Sequence, residues 1–332
     1  MNAAVKPARA LEHHLSPLAP FMADDSLTEI VINRPNEVWT EGRDGWVKHN
    51  VDMPYSHCQS LATLIASYNG DSISEKKPVL SASLPAGERV QVVIPGACTP
   101  NTVSMTIRKP SVLDYSLDEL EAQGSFAGVE IATTALAPFE HQLLQLKQEG
   151  RIKEFLELAV KSHRNIIIAG ATGSGKTTVT KSLIRCIDPR ERVITIEDVH
   201  ELFLREFPNK VHLFYKNFKE SVFTSKDAIA SCVRMKPDRI LLAELRGPET
   251  LDYIDSLNTG HPGSITTIHA NSAMDVFTRL VSLVKKSDEG LTLDPDYIRS
   301  MCVQVVDVVL YYERRKLKEI YYEPERKYAH MG

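Results

Sequence analysis

The octapeptide Gly170-Ala171-Thr172-Gly173-Ser174-Gly175-Lys176-Thr177 leaves this chain few folds to choose from. It satisfies G-x-x-x-x-G-K-[ST] at every required position. Its flanks fit as well: Asn165–Ile168 reads as a strand entering the loop, and Val179–Ile187 as a helix leaving it. The glycines let successive backbone N–H groups turn inward around phosphates, and the helix N-terminus adds partial positive charge. Lys176 is placed to reach the β- and γ-phosphates, Thr177 to ligate Mg2+, and Thr178 to stand beside them. A guanine-reading N-K-x-D motif is missing, since Asn209-Lys210-Val211-His212 lacks the aspartate. The expected ligands are therefore ATP and Mg2+.

The surroundings of the loop predict an α/β domain. Ile166–Ala169, Val193–Ile196, Ile240–Ala243 and Ser264–Ile268 are short continuous apolar runs, as strands buried on both faces should be. Helical segments alternate with them, which argues for a mainly parallel sheet over residues 151–332. Val305–Tyr312 and Leu317–Tyr322 flank Arg314-Arg315-Lys316 and read as a closing hairpin.

In a sheet of this kind, side chains at the C-terminal strand ends face the ligand crevice. Glu244 ends the run Ile240–Ala243 and is the candidate for orienting or activating the attacking water; it is also a candidate metal-site residue. Ala243 stands where a magnesium aspartate is usual. Glu197 and, after it, Glu201 are the candidates for supporting Mg2+ indirectly. His269 ends Ser264–Ile268, placed to sense a γ-phosphate. His261 lies in the turn Gly260–Gly263.

The first 110 residues differ in pattern. Thr28–Asn33, Glu37–Glu41 and Trp46–Asn50 predict a β-meander, separated by Arg34-Pro35-Asn36 and Gly42–Gly45. Ser56–Tyr68 has helical spacing, and Arg89–Ile94 and Val103–Ile107 read as further strands. A smaller α+β domain over 1–110 is expected, joined by a connector over 111–150 that contains a helix at Phe139–Gln148.

The net charge of −4, with both signs interspersed, gives no footprint of a nucleic-acid tail. A ring can hide a basic lumen, so direct nucleic-acid binding stays open. The five cysteines are dispersed and include no C-x-x-C pair, which excludes a zinc ribbon and a disulfide framework. No apolar run approaches the roughly 18–20 residues that span a bilayer. A cytoplasmic location, with peripheral membrane contact, is the expectation.

Four stretches taken in order resemble the secretion ATPase superfamily, which drives type II secretion, type IV pili and type IV secretion. GATGSGKTT matches its Walker A, Thr195-Ile196-Glu197-Asp198 its aspartate box, Ala243-Glu244-Leu245-Arg246 its atypical Walker B, and Gly260–Asn271 its histidine box. Ser231–Arg239 followed by LLAELRG is similar to the VirB-type traffic ATPases of type IV secretion.

The resemblance implies a P-loop NTPase (RecA-like) domain behind the α+β domain, a homohexamer, and other type IV secretion components of the inner membrane, ATPases among them, as partners. It implies that the N-terminal domain closes over the nucleotide and contributes Arg89 and Arg108. Arg246, and less strongly Arg234 and Arg239, are implied at phosphate or subunit contacts. Two rival readings are a nucleic-acid translocase and a nucleotide-dependent regulator with little turnover.

Overall fold

Strands at the N-terminal end of the chain alternate in sequence but pair into one sheet. The computed structural model describes residues 5–110, 114–216 and 221–327. β1 (Glu29–Arg34), β2 (Glu37–Gly42) and β3 (Gly45–Asn50) form the expected meander. β4 (Val79–Ser83), β5 (Arg89–Val93) and β6 (Ser104–Arg108) complete it in the order β3-β2-β1-β6-β5-β4, antiparallel throughout. The helix Tyr55–Tyr68 buries Cys58, Leu61, Ala62, Ile65 and Ala66 against this sheet, together with Leu11 and Leu18 from the N-terminal helical segment. β4 carries too few apolar residues to announce itself; its Ser81 and Ser83 face outward.

Beyond residue 165 the chain forms β7 (Ile166–Ala169), β8 (Val193–Glu197), β9 (Lys210–Phe214), β10 (Arg239–Leu242), β11 (Ile265–Ile268), β12 (Val308–Glu313) and β13 (Lys316–Tyr321). Hydrogen-bonded ladders run β10-β8-β9 and β11-β7-β12-β13. Ser264 Oγ bonds Ile240 O at 2.6 Å, and Leu245 N bonds Thr267 O at 2.9 Å, so β10 and β11 lie side by side. All these pairings are parallel except β12–β13. The mixed α/β fold with a mainly parallel sheet is thus present. Val305, expected in the closing strand, instead ends the helix Pro295–Val305.

The expected connector divides. The helix Pro138–Gln148 buries Leu143 and Leu146 in the same apolar cluster as Phe155 and Ile166. No residue from 114 to 137 is buried, although a capping box on Ser116 and Glu119 starts a helix at Leu117–Ala122. Ser111, Val112 and Leu113 lie outside the described residues.

The two sheets meet around one buried cation. Arg192 is fully buried and donates to Asn33 Oδ1 at 2.7 Å, Asn209 Oδ1 at 2.6 Å and Met235 O at 2.9 Å. Its guanidinium lies 5.6 Å from the Trp46 ring centroid, and burial pulls its pKa down to about 10. Asn33 therefore ties β1 to the residues that open β8 and β9. Replacing Arg192 by Met takes the donor from the buried Asn33 Oδ1 and from the Met235 carbonyl, while Asn209 Oδ1 keeps its bond from Asn33 Nδ2. The unfolding free energy in urea is expected to fall by about 2–4 kcal/mol; an unchanged midpoint contradicts this account.

Glu29 is 3% exposed, and burial pushes its pKa up to about 7, while Arg108 Nε stands 3.7 Å away and partly offsets that cost. A carboxyl whose folded pKa exceeds its unfolded value stabilises the fold fully below the unfolded value, and that contribution is lost as pH rises through the folded one. The melting temperature should accordingly decline between roughly pH 4.5 and 7 in the wild type. Glu29→Gln is expected to flatten that decline; equal slopes in the two proteins would refute it.

Candidate active site

The phosphate loop is shaped by what a side chain would strike. Gly170 has φ +150°, and a Cβ there would lie 2.2 Å from the carbonyl oxygen of Tyr312 and 2.6 Å from Ser174 Oγ. Gly173 and Gly175 have φ +74° and +101°, a region that glycine enters without cost. The helix Lys176–Ile184 starts at the loop and aims its free N–H groups into a cavity of about 880 Å3. Thr172, Gly173, Gly175, Lys176, Thr177 and Thr178 line it, while Gly170, Ala171 and Ser174 form the loop behind. Ser174 Oγ is buried without a partner.

Lys176 Nζ donates to Gly170 O at 2.8 Å and Ala171 O at 3.0 Å. Burial lowers its pKa, with Glu244 opposing. The amine is thus held inside the ring of loop carbonyls, next to where the helix N-terminus would receive phosphate.

Across the cavity runs a chain of polar side chains. His269 Nδ1 lies 3.1 Å from Gly170 O and 3.5 Å from Lys176 Nζ, and its Nε2 lies 2.9 Å from Glu244 Oε1. Arg246 donates to Glu244 Oε2 at 2.5 Å and to Asp198 Oδ2 at 2.5 Å. The Glu244 hydrogen bond raises the Arg246 pKa further above its ordinary value. Thr267 Oγ1 fixes Ala243 O at 2.9 Å, which holds the strand end that presents Glu244.

Glu197 stands behind the cavity wall and not in it. Its side chain is wholly buried and does not line the cavity. It accepts from Thr195 Oγ1 at 2.6 Å and from the backbone N–H of Glu201 at 2.7 Å and Leu202 at 2.8 Å. Burial alone would raise its pKa, but these bonds and His212 hold it below the ordinary value. It builds the loop that brings Asp198 and Glu201 to the cavity wall. Asp198, Thr267, Tyr312 and Arg315 line the site unpredicted; Arg315 follows a φ-positive Arg314 in the tight β12–β13 turn, a signal the Arg-Arg-Lys run concealed.

Arg89 and Arg108 do not reach this cavity within the chain. They line a separate cleft of about 560 Å3 with Arg234, Lys236 and His261. Arg239 is a structural residue: 1% exposed, it bonds Glu191 at 2.6 Å and the carbonyls of Val160 and Gly263.

The residues present fit a magnesium–nucleotide substrate: an inward-facing loop, an unpartnered Ser174 hydroxyl, Thr177 and a wall of carboxylates. Mg2+, when bound, would neutralise charge developing between the β- and γ-phosphates. Gly170→Ala forces a methyl into the Tyr312 carbonyl. Its expected outcome is at least a tenfold loss of ATP affinity, roughly 1.4 kcal/mol, by fluorescent-nucleotide titration; wild-type affinity would count against the packing argument.

A profile for "Type II/IV secretion system protein" matches residues 12–310. The chain is 44% identical to the type IV secretion system protein VirB11 of Brucella abortus, covering 99% of this chain and 94% of that protein. It is 39% identical to the type IV secretion system protein PtlH of Bordetella pertussis, covering 95% and 94%. The crystal structure of the VirB11 ATPase from the Brucella suis type IV secretion system, in complex with sulphate, superposes with a TM-score of 0.94 over 99% of both chains at 44% identity. With the loop and the Glu244 strand end in place, the chain belongs to the type II/IV secretion system protein family and is one of its secretion ATPases.

Proposed function

We propose that this chain works as a homohexameric ring at the cytoplasmic face of the inner membrane. There it powers pilus assembly and the movement of protein or DNA–protein cargo in type IV secretion. No helix among the described residues is long and apolar enough to cross a membrane, so in this reading membrane contact comes through the other components of the secretion complex.

The observation that carries the ring is the separation of the phosphate cavity from Arg89 and Arg108. An arginine against the γ-phosphate stabilises developing charge. In this reading the neighbouring subunit supplies it, and hydrolysis drives closure of one subunit's N-terminal part on the next subunit's loop. The exposed Leu117, Val129 and Ile131 in the segment between the two sheets support a neighbour contact there.

In the chemical step Glu244 orients and deprotonates the attacking water, Lys176 and Arg246 hold the phosphates, and His269 reports their presence to Glu244. Asp198 and Glu201, rather than Glu197, support Mg2+.

Light scattering with ATP·Mg2+ should give the mass of six subunits. Glu244→Gln is expected to bind ATP while losing turnover by about 10²–10⁴-fold. Arg108→Ala should be similarly inactive. Equimolar mixtures of the two should recover about a quarter of wild-type turnover if sites form between neighbours at random. No recovery, in a ring shown to exchange subunits, would sink the shared site; a monomer in every condition would sink the ring.

A further inference from the structure

We propose that Glu197, His200 and His212 form a binding site for a transition-metal ion of the zinc class, separate from the nucleotide cavity. One ligand atom from each lies within 4.8 Å of the other two. Two imidazoles and a carboxylate make a donor set typical of zinc with an open fourth position. Magnesium prefers oxygen alone, so this set discriminates against the ion that accompanies ATP.

The surrounding bonds prepare the site. An ionised carboxylate only accepts, so Thr195 Oγ1 donates its single hydrogen to Glu197 Oε1, 2.6 Å away. Toward His212 Nδ1, at 2.8 Å, the same oxygen must then accept. His212 Nδ1 also lies 3.3 Å from Glu197 Oε1, so an ion seated between the two takes the place of the Nδ1 proton. The Glu201 and Leu202 N–H groups pin the other carboxylate oxygen.

His200 completes the group from the solvent side. Its ring centroid is 4.6 Å from that of His212, and Phe203 and Phe214 stand at 4.6 and 5.1 Å. Zinc–ligand bonds of about 2.0–2.2 Å need the three donors somewhat closer together than 4.8 Å. Seating the ion therefore requires His200, which lies outside any helix or strand, to draw toward the other two. A bound ion would clasp the loop carrying Asp198 and Glu201 to β9, and so fix two walls of the nucleotide cavity.

The test uses the full-length protein, stripped with a chelator and equilibrated with zinc chloride. Metal analysis should find one more zinc per chain in the wild type than in His200→Gln or His212→Gln. Any ion held by the neighbouring His14 and His57 rings remains in all three proteins and cancels. Isothermal titration should show zinc affinity at this site weakened at least about tenfold by His200→Gln. His200 is partly exposed, so that variant should keep its wild-type circular dichroism. Cobalt chloride should give visible bands of low coordination in the wild type, without the near-ultraviolet thiolate band that Cys186 would add. Equal zinc content in the wild type and a folded His200→Gln, or a thiolate band lost on Cys186→Ser, overturns the site.

Discussion

A hydrogen atom has to sit where a side chain at residue 170 would begin, and much of the site depends on it. Because Gly170 presents no Cβ, β12 can pass with the Tyr312 carbonyl against the loop. The chain then turns, and Arg315 N bonds Ser174 O at 3.0 Å while the Arg315 backbone rests 3.4 Å from where a Cβ of Gly175 would lie. The last hairpin of the chain therefore backs the phosphate loop as well as closing the sheet. With the loop held from behind, its carbonyls collect Lys176 and its N–H groups are left to face the cavity. A loop that makes its own backbone the ligand can tolerate few side chains, which is why the glycines constrain the fold more than the lysine does.

The second dependence is electrostatic. Asp198, Arg246 and Glu244 alternate in charge across the cavity, and His269 stands between Glu244 and Lys176. Such a chain is poorly described by separate pair energies, because removing one member strands its neighbour. Polyphosphate offers Lys176 and Arg246 a stronger partner than the carbonyls and carboxylates they hold. In the proposed mechanism, an Arg246 drawn toward phosphate would release Glu244 Oε2 to a water molecule. On that proposal, substrate occupancy and the availability of the base are linked through a shared cation.

How far the sequence could disclose this varies with the physical signal. The parallel strands were legible because burial on both faces removes alternation and leaves continuous apolar runs, as in Ile166–Ala169. The loop was legible because its glycines and lysine have few other uses at that spacing. Glu197 misled for the same reason that β8 was easy to find: a strand buried on both faces gives no parity from which to tell a carboxylate facing the ligand from one facing the core. Its neighbour Asp198 reaches the cavity instead. β9 went unread because His212 interrupts the apolar run of Lys210–Phe214. Arg89 and Arg108 were correctly assigned to strand ends, but which cavity a strand end faces depends on how the two sheets dock, and no local pattern encodes that.

That docking combines an apolar cluster, in which Val93, Ala97 and Cys98 join the core around Leu213, with buried polar contacts. Arg192, Asn33 and Asn209 exchange hydrogen bonds out of solvent, and Asp238 accepts from both Arg192 N and Trp46 Nε1. Buried polar groups of this kind gain little net energy over a well-packed apolar contact, yet each is costly to leave unpaired. They favour one relative position of the sheets and penalise near misses. Arg192 also directly precedes β8, whose far end is Glu197, the buried anchor of the Asp198 loop. One fully buried strand, about 16 Å long at the usual rise, therefore joins the contact between the sheets to the wall of the nucleotide cavity.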